Sequence, residues 1–427
     1  MSQPSAELPP SASVADQGTA APPPLPLLRL SEPMPALVDT PAGLEHVIGA
    51  FAAGHGPVAI DAERASGYRY SQRAYLVQLR RRGAGTALVD PIAIPDLVPL
   101  ADALVGEEWI LHAATQDLAC LREVGLVPTR LFDTELAGRL LNLPRVGLAT
   151  LVEELLGSRL AKEHSAVDWS TRPLPAPWLE YAALDVEVLV ELRDLLADRL
   201  EAAGKAEWAA EEFAALVHFT GPEPRAEPWR RTSGIHRLRG RRALAVVREL
   251  WQARNQLAAD LDIAPGRLLT DAAIVEAAAA PPVSAQATRA LPGMRHRQAR
   301  KHVDRWYSAI ERGLAVEDAA LPTISGRGVG LPPPRSWPER NPAAAARLSA
   351  CREVLTAVSA DVDVPAENLL TPEWVRRLAW APPEPVEAET VAAALRALGA
   401  RNWQVGLVQA DLTTALQVQP TAVATAE

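Results

Sequence analysis

Two strings 101 residues apart share one design. "LDIAPGRLLTD" begins at Leu261 and "VDVPAENLLTP" at Val362, so that Asp262 matches Asp363, Leu268 matches Leu369 and Thr270 matches Thr371. An acidic residue, an aliphatic residue, a turn and Leu-Leu-Thr, repeated inside alanine-rich amphipathic sequence, predict one helix–turn–helix corner built twice. The rest of the chain must fold around two small helical modules. Proline and glycine set the limits. Gly221-Pro222-Glu223-Pro224 closes whatever precedes the first module, and residues 321–342 separate the two. The expected organisation is an Ala/Pro-rich, unstructured leader over 1–35, a folded domain over 36–218 and a helical domain over 229–320. A linker over 321–342, a second helical domain over 343–411 and a frayed tail over 412–427 complete it.

Residues 36–218 read differently. Short apolar runs predict strands at Val58–Ile60, Ala74–Leu79, Thr86–Val89 and Trp109–His112. Amphipathic spacing predicts helices over Leu97–Val105, Leu118–Val124, Thr134–Leu141, Leu148–Leu156 and Pro177–Leu200. Strands alternating with helices predict an α/β domain with a mixed sheet.

The formal charge of −9 is unevenly spread. Trp229–Ala320 holds 16 Lys/Arg against 9 Asp/Glu, a surplus of 7, which leaves −16 on the remainder. A basic module on an acidic protein fits a polyanionic partner. Two cysteines, Cys120 and Cys351, cannot build a disulfide framework and point to a reducing, cytoplasmic setting. No apolar run reaches the roughly 20 residues that cross a bilayer, and the N-terminus lacks a basic n-region, so neither a membrane nor secretion is expected.

Three acidic motifs carry candidate chemistry. Asp61 and Glu63 end the run Val58–Ile60, and side chains two apart on a strand share a face. Adjacent carboxylates repel unless a cation lies between them, and hard divalent cations prefer oxygen ligands. Asp117 follows the buried run Trp109–Leu111, in the turn leading into a helix. Tyr181 and Asp185, four apart on a helix, lie on one side of it.

In that order and spacing the motifs resemble the DEDD exonuclease superfamily, in its tyrosine-bearing branch, and more narrowly the ribonuclease D family. "HAATQDLACL", "FDTELAGRLL", "GLATLVEELLG" and "DWSTRPLPAPWLEYAALD" support the likeness. The histidine branch would carry His five residues before the last Asp, where this chain has Glu180. The first helical block resembles the helicase-and-ribonuclease-D C-terminal (HRDC) domain, and the second a divergent copy. The resemblance implies a ribonuclease H-like mixed-sheet domain followed by two small all-α domains. It implies Asp61, Glu63 and Asp185 on one Mg²⁺ or Mn²⁺ ion, Asp61 and Asp117 on a second, and Tyr181 orienting the attacking water. The implied reaction is 3′→5′ exoribonucleolytic release of nucleoside 5′-monophosphates, in tRNA 3′ processing or stable-RNA turnover; the oligomeric state is left open, with a monomer favoured. Arg64 departs from the family, where an apolar residue is usual. Arg64, Gln78, Lys162, Arg172, Arg239, Arg242, Arg297 and Lys301 are the candidate nucleic-acid contacts. DNA as substrate, or a non-catalytic RNA-binding protein, stays open, because no motif reads the 2′-hydroxyl.

Overall fold

The computed structural model describes residues 25–161, 164, 166–324 and 331–418. A six-stranded mixed sheet lies at its centre: β1 (Leu37–Val38), β2 (His55–Arg64), β3 (Ala74–Arg82), β4 (Gly85–Val89), β5 (Glu108–Leu111) and β6 (Arg130–Asp133), in the order β1-β4-β3-β2-β5-β6. β2, β3 and β4 form an antiparallel meander, while β1 runs parallel to β4, β5 to β2 and β6 to β5. This is the mixed-sheet exonuclease architecture implied by the resemblance.

The alternation of β2 explains where the site lies. Val58, Ile60 and Ala62 join the core beneath one face, with Val77, Leu79 and the helix Pro41–Ala53. The intervening Ala59, Asp61 and Glu63 look out from the other face, which the helix Ala176–Glu187 covers. Ala182, Ala183 and Val186 are fully buried there, and these small side chains let the helix lie close to the sheet.

Several expectations need correction. The predicted helix Pro177–Leu200 is two helices, Ala176–Glu187 and Leu189–Ala202, interrupted at Val188. Leu148–Leu156 begins as α-helix and continues from Val152 as a π-helical turn. β6 is a strand that the sequence does not announce; its four residues, RLFD, are too few for a periodic signal. Residues 25–35 of the supposed leader include a packed segment: Leu27 bridges Arg159, and Ser31 donates to Glu187. Residues 1–24 lie outside the described set.

The helical blocks repeat in register. Helices Arg241–Leu261, Pro265–Leu268 and Asp271–Ala279 are matched by Pro342–Val362, Ala366–Leu369 and Pro372–Trp380. The second block does not stand apart. Its Trp337, Leu348, Leu355 and Trp403 share one continuous apolar core with Phe132, Leu192, Leu196 and Phe213 of the α/β domain. The linker therefore ends early: Trp337 is fully buried and opens a short helix, Trp337–Arg340. The tail begins late, since Leu412, Ala415 and Leu416 are buried in the helix Asn402–Leu416. No helix among the described residues is long and apolar enough to cross a membrane.

Candidate active site

Four carboxylates and a tyrosine meet in a cleft of about 770 Å³. β2 delivers Asp61 and Glu63, and Asp185 descends from the covering helix. One oxygen from each of these three lies within 4.8 Å of the others. Asp117 reaches the group from the turn after β5 and lies beside Asp61 in the same cleft. Tyr181, one turn before Asp185 on the same helix, lies beside it in the cleft. All five residues line the cleft.

The turn carrying Asp117 is held by a residue that the sequence does not single out. The Asp133 carboxylate, at the end of β6, accepts from Ala113 N at 3.1 Å and Ala114 N at 2.9 Å while capping its own helix through Glu135 N and Leu136 N. Ala113 is in the left-handed region at φ 56°, a strained position for alanine that these bonds hold in place. Asp-Thr before an apolar helical run signals a cap, but nothing local signals the second grip, 20 residues back.

Burial and mutual repulsion dominate the electrostatics. Burial raises the Asp61, Asp117 and Asp185 carboxyls above their usual range. Glu63 is pushed up to about 10, first by burial and then by Asp61, Asp185 and Asp117. Without cations the cluster must hold protons. Tyr181 is raised beyond an ordinary phenol by burial and the surrounding carboxylates, so its hydroxyl keeps its proton. His112, also in the cleft wall, is lowered to about 4 by burial and is neutral; its Nδ1 is 2.9 Å from Thr134 Oγ1.

The candidate nucleic-acid contacts divide. Arg64 lines the cleft, with Nε 3.7 Å from Asp117 Oδ1. Gln78 is fully buried opposite Asp61 in the β2–β3 register, and its amide has no hydrogen-bond partner among the described residues. It does not line the cleft and, fully buried, cannot touch a nucleotide. The Arg172 guanidinium is bidentate on buried Asp90 at 2.7 and 2.8 Å and also donates to three backbone carbonyls, so it fixes its own loop. Arg242 is likewise committed, to Val316 O and Asp318. Arg239 is exposed and donates only to His236 O, at 3.4 Å, among the described residues. Arg297 and Lys301 are exposed with no ion-pair partner among the described residues, on the short helix Arg297–Lys301. Lys162 lies outside the described residues.

A 3′-5′ exonuclease family model matches residues 35–201, an HRDC domain model 243–310, and a 3′ to 5′ exonuclease C-terminal domain model 330–416. The chain is 32% identical over 332 residues to the ribonuclease D of Gluconacetobacter diazotrophicus, covering 76% of this chain and 81% of that one. It is 33% identical over 305 residues to that of Acidiphilium cryptum, covering 68% and 75%. A solved protein from Bifidobacterium adolescentis superposes with a TM-score of 0.84 at 38% identity, over 92% of this chain and all of that one. Escherichia coli RNase D, described as an exoribonuclease involved in structured RNA processing, superposes with a TM-score of 0.65 at 25% identity, over 91% and 100%.

Proposed function

The chain belongs to the ribonuclease D family of 3′-5′ exoribonucleases, and on that premise we propose that the carboxylate cleft is its catalytic centre, hydrolysing RNA from a free 3′ end. The observation that carries this reading is the convergence of Asp61, Glu63 and Asp185 oxygens within 4.8 Å, with Asp117 against Asp61.

The donor set fits hard divalent cations. It offers only carboxylate oxygens, as Mg²⁺ and Mn²⁺ prefer, and a cation there would offset the burial and the mutual repulsion that together raise Glu63. Asp61, Glu63 and Asp185 would hold one ion, and Asp61 with Asp117 a second. Bound there, the ions would supply an activated water, neutralise charge on the phosphate and stabilise the leaving oxygen. The protein's own part is orientation. Tyr181, a phenol whose ordinary pKa lies near 10, would position the attacking water by hydrogen bonding rather than serve as its base. Neutral His112 adds no repulsive charge. Arg64, beside Asp117, is a cation at the cleft wall suited to a phosphate. The products are nucleoside 5′-monophosphates.

The positive surplus of residues 229–320 supports structured RNA, such as a tRNA precursor in the cytoplasm, as the substrate. The test uses 5′-end-labelled RNA and DNA of one sequence, with Mg²⁺, Mn²⁺ or excess chelator. RNA should shorten stepwise from its 3′ end, only with a cation, and faster than DNA. Internal cuts, undiminished activity in chelator, or equal rates on DNA would each refute the reading.

A further inference from the structure

Between β2 and β3 the chain crosses a loop, residues 65–73, that begins one residue after Arg64. Ser66, Gly67 and Tyr68 in it form one wall of the cleft. Within its own domain the loop is held by a turn from Ala65 O to Tyr68 N and Arg69 N, a Ser66–Gln72 side-chain bond, Arg69 on Ser170, Tyr68 Oη donating to Ala166 O at 3.4 Å, and the packing of Ala65 and Tyr68 on the cluster around Trp169.

The remaining support comes from the first copy of the repeated corner. Asp262 ends the helix Arg241–Leu261 in the left-handed region at φ 47°. Its carboxylate accepts from Ser71 N at 2.8 Å and Tyr75 Oη at 3.4 Å. Ala264 N donates to Tyr68 O at 2.9 Å. Arg267 Nε donates to Gly67 O at 2.8 Å, and its guanidinium lies 3.9 Å from the Tyr68 ring centroid. The corner therefore holds the carbonyls of two cleft-lining residues directly.

The second copy serves as an internal comparison. Asp363, at φ 50°, accepts from Asn142 Nδ2 at 2.6 Å, and its carbonyl accepts from Lys205 Nζ at 2.8 Å. Neither Asn142 nor Lys205 lines the cleft. The two blocks also differ in how they attach. The second is fused to the exonuclease domain through apolar core, whereas the first domain's cluster takes from that domain, among the described residues, only half-buried Tyr70. A polar corner on a cleft wall is thus the main attachment of the first domain. The exposed cations of Arg297–Lys301 sit on a helix packed against Pro265–Leu268 of this same corner.

We propose that the Asp262–Arg267 corner is a positioning element of the cleft: by clamping residues 66–71 it sets the affinity for the 3′-terminal nucleotides, even for oligonucleotides too short to reach the helical domain's basic face. This deepens the catalytic reading of the cleft and rests on it.

The test keeps the full chain. Asp262→Gly preserves the left-handed backbone while deleting the carboxylate, and Asp363→Gly does the same at the second corner. Removing a charged hydrogen-bond acceptor should raise local opening of residues 65–73, read by hydrogen exchange without substrate, by about tenfold or more. A wall that is competent only part of the time should raise KM on a short unstructured RNA by about three- to tenfold, with kcat changed less than about twofold. Asp262→Asn, which keeps an acceptor for Ser71 N, should restore most of both. Asp363→Gly should alter neither. Arg267→Ala, which leaves the corner backbone untouched, should reproduce the KM rise if Asp262→Gly fails to fold. Unchanged KM in a folded Asp262→Gly or Arg267→Ala protein would overturn the proposal, as would an equal rise in Asp363→Gly. These outcomes are read in an enzyme that still turns over, so they are distinct from a failure of the catalytic reading, which loss or retention of activity in Asp61→Asn decides.

Discussion

Replacing Glu63 by Gln should make the metal-free protein more stable while destroying its activity. The Glu63 carboxyl is raised from 4.5 to about 10 in the fold, by burial first and by Asp61, Asp185 and Asp117 next. The native state then holds a proton that the unfolded chain releases, so metal-free stability falls as pH rises between those limits, with no penalty below 4.5. At about 1.36 kcal/mol per pH unit, the penalty at pH 8 has a ceiling of about 5 kcal/mol. Water in the open cleft screens this to about 1–3 kcal/mol. With an unfolding entropy of about 0.9 kcal/mol/K for a chain of this length, Glu63→Gln should melt about 1–3 °C above wild type at pH 8. At pH 5 the difference should nearly vanish, and saturating Mg²⁺ should raise the wild-type Tm more than the variant's. Differential scanning calorimetry in chelator at both pH values measures this. An equal or lower Tm for the variant at pH 8, or the same increment at pH 5, would refute the reasoning.

Tyr181→Phe should cut kcat by about ten- to a hundredfold with RNA affinity little changed, because only a hydrogen-bonding hydroxyl is removed; single-turnover kinetics and filter binding check it, and unchanged turnover would make Tyr181 structural. Trp337→Ala, at a fully buried site in the shared core, should cost about 3–5 kcal/mol and lower the melting of the exonuclease domain and the second helical block together, as seen by hydrogen exchange. Replacing Arg297, Arg300 and Lys301 together with Ala should reduce the salt dependence of binding to folded RNA, by about 0.7–0.9 in log–log slope for each phosphate no longer neutralised. The kcat on a short single strand should stay as it was.

The carboxylate site is legible in the sequence because its signals are local. The two-residue period of β2 and the four-residue period of the Ala176–Glu187 helix place Asp61 with Glu63, and Tyr181 with Asp185. Asp117 gains meaning only from the order and spacing of all three motifs. Long polar side chains are less legible, because their partners are remote in sequence. Arg172 meets Asp90 across 82 residues and Arg242 meets Asp318 across 76, so both resemble free cations until the chain is folded. Gln78 reads as an exposed contact, yet register sets it beside Asp61 on the sheet face that the Ala176–Glu187 helix covers, where it is fully buried. The proline-rich stretch before residue 342 conceals Trp337, since composition registers the linker but not the one residue that packs. The repeat itself is plain, whereas the use of its corner is not: Asp262 finds Ser71 across 191 residues.

The most direct test of the catalytic account is the number of Mn²⁺ ions bound per chain, titrated calorimetrically and by electron paramagnetic resonance in wild type and Asp61→Asn. Two carboxylate-held ions that share Asp61 predict two sites in wild type and no more than one in Asp61→Asn, with RNA hydrolysis abolished. A wild type binding no ion, or an Asp61→Asn protein that still binds two ions and still shortens RNA, would contradict it.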